Sequence, residues 1–108
     1  MKYKITLTKQ ADTDLRNIYE YIAFTLIEPQ TAVRQLERIE KGILSLDEMP
    51  KRFHVFEKEP WYSRGLRQIS VDNFIVFYIP NAEDETVTII RVMYGGMDID
   101  KQLKKTNQ

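Results

Sequence analysis

A chain of 108 residues and 12.8 kDa holds one hydrophobic core and not two, and 43% apolar against 30% charged residues is the balance of a folded globular protein. Sixteen basic residues face sixteen acidic ones, which excludes a chain carried to nucleic acid by bulk positive charge. The absence of cysteine excludes disulfides, zinc–thiolate sites and a thiol nucleophile, and a single histidine leaves no pair for a two-histidine metal site, so no metal and no cofactor are expected.

The first eight residues alternate, with Tyr3, Ile5 and Leu7 on one side and Lys2, Lys4 and Thr6 on the other, the period of a half-buried strand. This is not the apolar block of a signal peptide, and no run of about 18 apolar residues follows, so a cytoplasmic domain without a membrane span is expected. Thr8 is placed to cap a helix whose stripe is Ala11, Leu15, Ile18, Ile22 and Leu26, with Asp12 and Asp14 at the positive end of its dipole. Pro29 fits the first turn of a second helix with the stripe Val33, Leu36, Ile39, Ile43 and Leu46, and Pro50 is expected to close it. Residues 9–49 thus read as a helical hairpin. Gly42 either permits a close crossing or weakens that helix.

Residues 51–64 fit neither period and read as an ordered connection. Beyond Gly65, residues 65–94 read as a three-stranded meander. Leu66–Val71 and Phe74–Ile79 flank the turn Asp72-Asn73, Pro80 ends the central strand, and Thr86–Tyr94 is the third. Asp98 can cap a short helix within a tail over 98–108. The order β-α-α-β-β-β makes one α+β domain over 1–108, a helical hairpin on one face of a small antiparallel sheet joined by the first strand. Phe74–Ile79 is apolar on both faces, so the sheet face away from the helices is expected to be open to a partner.

Charge is segregated along the chain. Residues 9–50 carry five basic and eight acidic side chains, whereas 51–67 carry five basic (Lys51, Arg52, Lys58, Arg64, Arg67) and two acidic. The basic stretch also holds Phe53, Phe56, Trp61 and Tyr62, a mixture suited to stacking on bases or anchoring a protein, or to packing over a sheet edge. Arg67 alternates with Ile69 and Val71, and Arg91 with Val87, Ile89 and Met93. Charges on apolar strand faces either form an anion cradle or end in structural ion pairs. Tyr94, before two glycines, could donate a proton or stack. His54, alone near neutral pKa, is a lesser candidate for catalysis.

Three segments carry a resemblance that spans nearly the whole chain: Ala11–Ile22 (ADTDLRNIYEYI), Gly65–Tyr78 (GLRQISVDNFIVFY) and Val87–Ile99 (VTIIRVMYGGMDI). In content, order and spacing they resemble the RelE/ParE superfamily, the toxins of type II toxin–antitoxin systems, whose fold is a helical hairpin on a small antiparallel sheet. The resemblance implies a growth-inhibiting toxin neutralised by a cognate antitoxin, with operator DNA contacted only through that antitoxin. The Leu-Arg-x-Ile-x-Val hairpin, the Arg-Val-x-Tyr-Gly-Gly ending and the lack of a basic excess lean toward the ParE side, whose members poison DNA gyrase without hydrolysis. The alternative is a RelE-like nuclease cutting mRNA on the ribosome without a metal, with Arg67, Arg91, Tyr94 and, behind them, His54 as catalytic candidates. A second alternative is a non-toxic binding module that keeps the antitoxin interface. Target contacts are expected from Trp61, Tyr62, Arg64, Arg67, Arg91, Tyr94 and Met97. Tyr94 stands where many ParE-type relatives carry histidine, and Met97 where relatives carry arginine or lysine. Both departures bear on activity rather than on fold, and imply an attenuated toxin.

Overall fold

The computed structural model describes residues 2–106. Strand β1 (Lys4–Leu7) enters helix α1 (Lys9–Glu20) through Thr8, whose Oγ1 accepts from the Ala11 N–H at 3.0 Å and donates to the Ile90 carbonyl at 2.9 Å. One hydroxyl thus caps the helix and ties it to the last strand. Regular α-geometry stops at Glu20. A wide π-turn over Tyr21–Thr25 re-phases the chain, burying Ile22 and Ala23 and turning Leu26 out of the expected stripe. Ile27 follows at φ 56°, an unusual backbone for a β-branched residue.

Pro29 occupies the first turn of α2 (Pro29–Leu44), as its missing N–H favours. Ala32, Ile39 and Ile43 form its buried side, and Val33 lies outside it. Pro50 does not close this helix. A 3₁₀ turn over Ser45–Asp47 does, and Pro50 opens another over Pro50–Arg52. Gly42 marks a close approach, but of helix to sheet: a Cβ there would lie 2.7 Å from Val71 Cγ2.

The 51–64 connection is more ordered than its composition suggests. It contains a short strand β2 (His54–Val55) and a single-turn helix α3 (Trp61–Arg64). The meander follows as β3 (Arg67–Val71), β4 (Phe74–Asn81) and β5 (Thr86–Tyr94), then α4 (Ile99–Lys104), capped by Asp98. Residues 107 and 108 of the expected tail lie outside the described residues. Asp72 takes φ 55° in the β3–β4 turn, where its carboxylate accepts from Gln35 and Arg38 of α2. Pro80 lies inside β4 rather than ending it. It sits beyond the end of β3, where β4 has a partner on one side only and a missing donor is tolerated.

The sheet has five strands in the order β1-β5-β4-β3-β2. It is mixed rather than antiparallel throughout, because β1 runs parallel to β5, pairing Lys4–Leu7 with Thr86–Ile89. β5 closes the meander and would otherwise present a bare edge, which β1 covers over that length. A bulge sets Phe77 opposite Arg91 but Tyr78 opposite Ile89, leaving Ile90 as the extra residue. This breaks the alternation expected of β5: Val87, Ile89 and Val92 enter the core under the helices, whereas Ile90 and Met93 enter one on the other face.

That second core corrects the expectation of an open sheet face. Trp61, Leu66 and Leu103 pack on Phe77, Ile90 and Met93, with Phe56, Ile75, Ile79 and Ile99 around them. The chain's own 56–66 segment and α4 cover the face away from the hairpin. The first core holds Ala11, Ile39, Ile43, Leu46, Val76 and Tyr78 among others. The Tyr78 hydroxyl donates to the Pro50 carbonyl at 2.7 Å, and burial pushes its pKa up to about 12 against the opposing pull of Arg67 and Arg52.

Alanine at residue 42 gains about 1 kcal/mol of helix propensity but drives its methyl into stiff Val71, an overpacking cost of about 1–3 kcal/mol. Gly42→Ala is therefore expected to lower stability in urea melts, and the same change in a Val71→Ala background is expected to raise it.

Candidate functional site

The residues singled out in the sequence fall into three places. Arg67 shares the helix-side face with Ile69 and Tyr78, at the end of β3 beside β2, where its Nη1 donates to the Phe53 carbonyl at 2.7 Å. Arg91 lies two strands away on the opposite edge of β5, just past the end of β1. The two guanidiniums have separate partners and do not converge on one cradle.

Arg91 is held by Asp14 of α1. Its Nε and Nη2 donate to the two carboxylate oxygens at 2.6 and 2.9 Å, and its Nη1 reaches the Gln102 carbonyl and Thr106 Oγ1 of the C-terminal segment at 3.3 and 3.2 Å. Asp14 also accepts from the Val92 N–H at 2.9 Å, the edge amide left unpaired where β1 ends. The side chains are only 11% and 12% exposed. This bidentate pair links α1, β5 and the C-terminal segment, and Asp14 is the residue that the sequence reading missed as a partner. The signal was present: Asp14 lies three residues after buried Ala11 and four before Ile18, on the inward stripe rather than the outer face.

The second place is α3. Trp61 is buried in the second core, and Arg64 stacks over its ring at 4.9 Å. Glu59 accepts from the Ser63 N–H and hydroxyl at 2.9 and 2.7 Å, which lowers its pKa. Tyr62 is exposed. His54 is exposed in β2, opposite Gln68.

The third place is the exit of β5. Tyr94 is exposed and meets Phe74 edge-on at 6.0 Å. A Cβ at residue 96 would come within 2.5 Å of the Tyr94 ring, so glycine there lets the ring lie over the turn. Met97 is exposed and lines a shallow cleft with Phe56, Lys58 and Phe77, beside the Lys58–Asp100 ion pair at 2.6 Å. Tyr94 and Met97 share this turn, the Met97 N–H donating to the Tyr94 carbonyl at 3.0 Å, but they line separate clefts, and neither cleft includes Arg67. Among the described residues no three His, Asp or Glu side chains gather to hold a metal, and no helix is long and apolar enough to cross a membrane.

A broad concave surface lies elsewhere, between α1, α2 and β1. It is a groove of about 830 Å³ with Ile5, Leu15, Tyr19, Leu36 and Ile43 in it and Phe24 at the hairpin end. Phe24 is 70% exposed and Ile27, beyond it, 80%. Exposed apolar surface of this kind on a small domain marks an interaction site.

Residues 5–99 match the family model of the ParE toxin of the type II toxin–antitoxin system parDE. The chain belongs to the ParE toxin family. Its fold is similar to that in the chromosomal ParDE toxin–antitoxin system of P. aeruginosa, with a TM-score of 0.70 at 20% identity over 86% of this chain and 96% of that one. It is similar also to the RelBE2 toxin–antitoxin complex of Mycobacterium tuberculosis (0.65, 20%, over 87% and 92%) and to a free mutant of E. coli RelE (0.66, 15%, over 97% and 98%). No curated protein sequence matches. This ParE-family chain is accordingly the toxin of a type II toxin–antitoxin system, with two helices on a mostly antiparallel sheet.

Removing one partner of a buried, hydrogen-bonded ion pair costs about 3–5 kcal/mol. Asp14→Ala and Arg91→Met are each expected to lower the thermal midpoint by at least about 10 °C in scanning calorimetry. The double variant is expected to lose much less than the sum of the two.

Proposed function

We propose that this ParE-family toxin arrests growth by binding DNA gyrase, without hydrolysis of its own, and that a cognate antitoxin neutralises it. The observation that carries the choice of target is the state of the two strand arginines. A metal-free nuclease needs free cations at the scissile phosphate. Here Arg91 is engaged by Asp14, and Arg67 by the Phe53 carbonyl. The zero formal charge agrees, since a ribosome-directed nuclease gains affinity from basic excess. Exposed Tyr62, Arg64, Tyr94 and Met97 remain as the surface for the target. Support for an antitoxin partner comes from the structural neighbours that are themselves toxin–antitoxin assemblies and from the apolar groove beside the hairpin.

Inducible expression of the chain alone is expected to produce filamentation and DNA breaks before any fall in mRNA, with rescue on co-expression of the adjacent reading frame. Loss of mRNA ahead of DNA damage would overturn the gyrase assignment. In the same assay Met97→Arg is expected to sharpen the arrest at matched protein level, because an arginine fork on this exposed turn adds a charge-assisted bond of about 1.5–3 kcal/mol where it meets an anion. Equal growth of the two strains would show that residue 97 does not touch the target.

A further inference from the structure

We propose that the groove between α1 and α2 selects a partner segment whose apolar face is flanked by lysine or arginine, which sets the chemistry of the antitoxin that this toxin accepts; the inference rests on the toxin–antitoxin reading above. The groove is apolar within and acidic at its rim. Its charged lining residues are Asp12, Arg16 and Glu20 on α1 and Glu37 and Glu40 on α2. Arg16 is already paired with Asp12 at 3.1 Å, one turn away on the same helix. Glu20, Glu37 and Glu40 are exposed, and among the described residues no ion-pair partner faces any of them.

Three unneutralised carboxylates on both walls of an apolar channel fix what can lie in it. Both walls are helices, so the positions Asp12, Arg16, Glu20 and Glu37, Glu40 run along the rim at one-turn steps, while Leu15, Tyr19 and Leu36 stand inside. An amphipathic segment laid into the channel buries its apolar side and presents its flanks to those rims. Acidic flanks would set like charges beside the glutamates, whereas basic flanks make complementary pairs. Rim pairs of this type are individually weak, and three together give roughly a tenfold selectivity that falls with salt. The segregation of charge along the chain serves this purpose, because the excess of acid lies in the helical hairpin that builds the groove.

Two synthetic amphipathic peptides with one apolar face, flanked by lysines in one and by glutamates in the other, separate the outcomes by calorimetry on the full-length toxin. The lysine-flanked peptide is expected to bind about tenfold tighter at low salt. The preference should collapse near 0.5 M salt and vanish in the Glu20→Gln, Glu37→Gln, Glu40→Gln triple variant, checked for an unchanged thermal midpoint. Glu37→Lys alone should reverse part of the preference. Equal affinities, a preference for glutamate, or binding of neither peptide would overturn the proposal. The protein encoded by the adjacent frame gives an independent arm. If it binds wild type and triple variant alike, the rim assignment falls and the toxin–antitoxin reading stands. If it binds neither, that reading falls and the peptides still decide the rim.

Discussion

Where β1 ends at Leu7, the outer edge of β5 runs on for several residues with no strand beside it, and the chain has already turned into a helix. Asp14 takes over at that point. Its carboxylate receives the Val92 amide, which lies past the last residue that β1 pairs, and the same two oxygens hold Arg91 in a bidentate grip. The helix is thereby pinned to the sheet by polar contacts at its start, through Thr8, and midway along it, through Asp14, and the apolar stripe of Ala11, Leu15 and Ile18 has one register in which to pack. Arg91 carries the constraint onward, since its remaining nitrogen reaches the segment that ends α4. Loss of the pair would leave a charge in a low-dielectric site and free two elements together.

The bulge at Ile90 follows from the same constraint. A strictly alternating β5 could not supply side chains to the core under the hairpin and also keep Arg91 at the edge opposite Phe77. One extra residue shifts the phase, so that Val92 still reaches the first core while Ile90 and Met93 fill the second. The second core in turn gives the aromatic connection something to close upon. Trp61 and Phe56 lie on Phe77 and Met93, and α4 adds Leu103. The sheet is therefore buried on both faces by its own chain, and the exposed apolar surface moves to the groove and tip of the hairpin.

Much of this was legible in the residues. Thr8, Pro29, the Asp72-Asn73 turn and the Asp98 cap each have a local physical cause, and local causes survive into the fold. What was not legible depended on contacts between distant segments. Periodicity treats a strand as uniform, so Arg91 read as sharing a face with Val87 and Ile89, when the bulge at Ile90 separates it from them. The parallel pairing of β1 is a choice among edges, which no window of sequence contains. The covering of the second face by residues 56–66 needed Trp61 to join one core with Met93, more than thirty positions away. The site residues suffered the same fate: Arg67 and Arg91 matched each other in type and setting, and only topology put them two strands apart.

The distribution of charge ties fold and recognition together. The basic residues of the connection are largely consumed at home, with Arg52 on the carbonyls of Glu48 and Met49 and against the Phe53 ring, Arg67 on Phe53, Arg64 over Trp61 and Lys58 on Asp100. Those contacts order a segment that has little regular hydrogen bonding of its own, and they draw its positive charge into short-range partners. The hairpin does the reverse. Arg16 is matched to Asp12 and Arg38 to Asp72, which leaves Glu20, Glu37 and Glu40 facing solvent beside an unfilled apolar channel. A formally neutral protein thus presents, among its described residues, three carboxylates outside any ion pair beside apolar surface that is also exposed. On the proposed reading of the groove, long-range attraction and short-range burial act on the same partner at the same place, and a partner with acidic flanks is disfavoured before it can bury its apolar face.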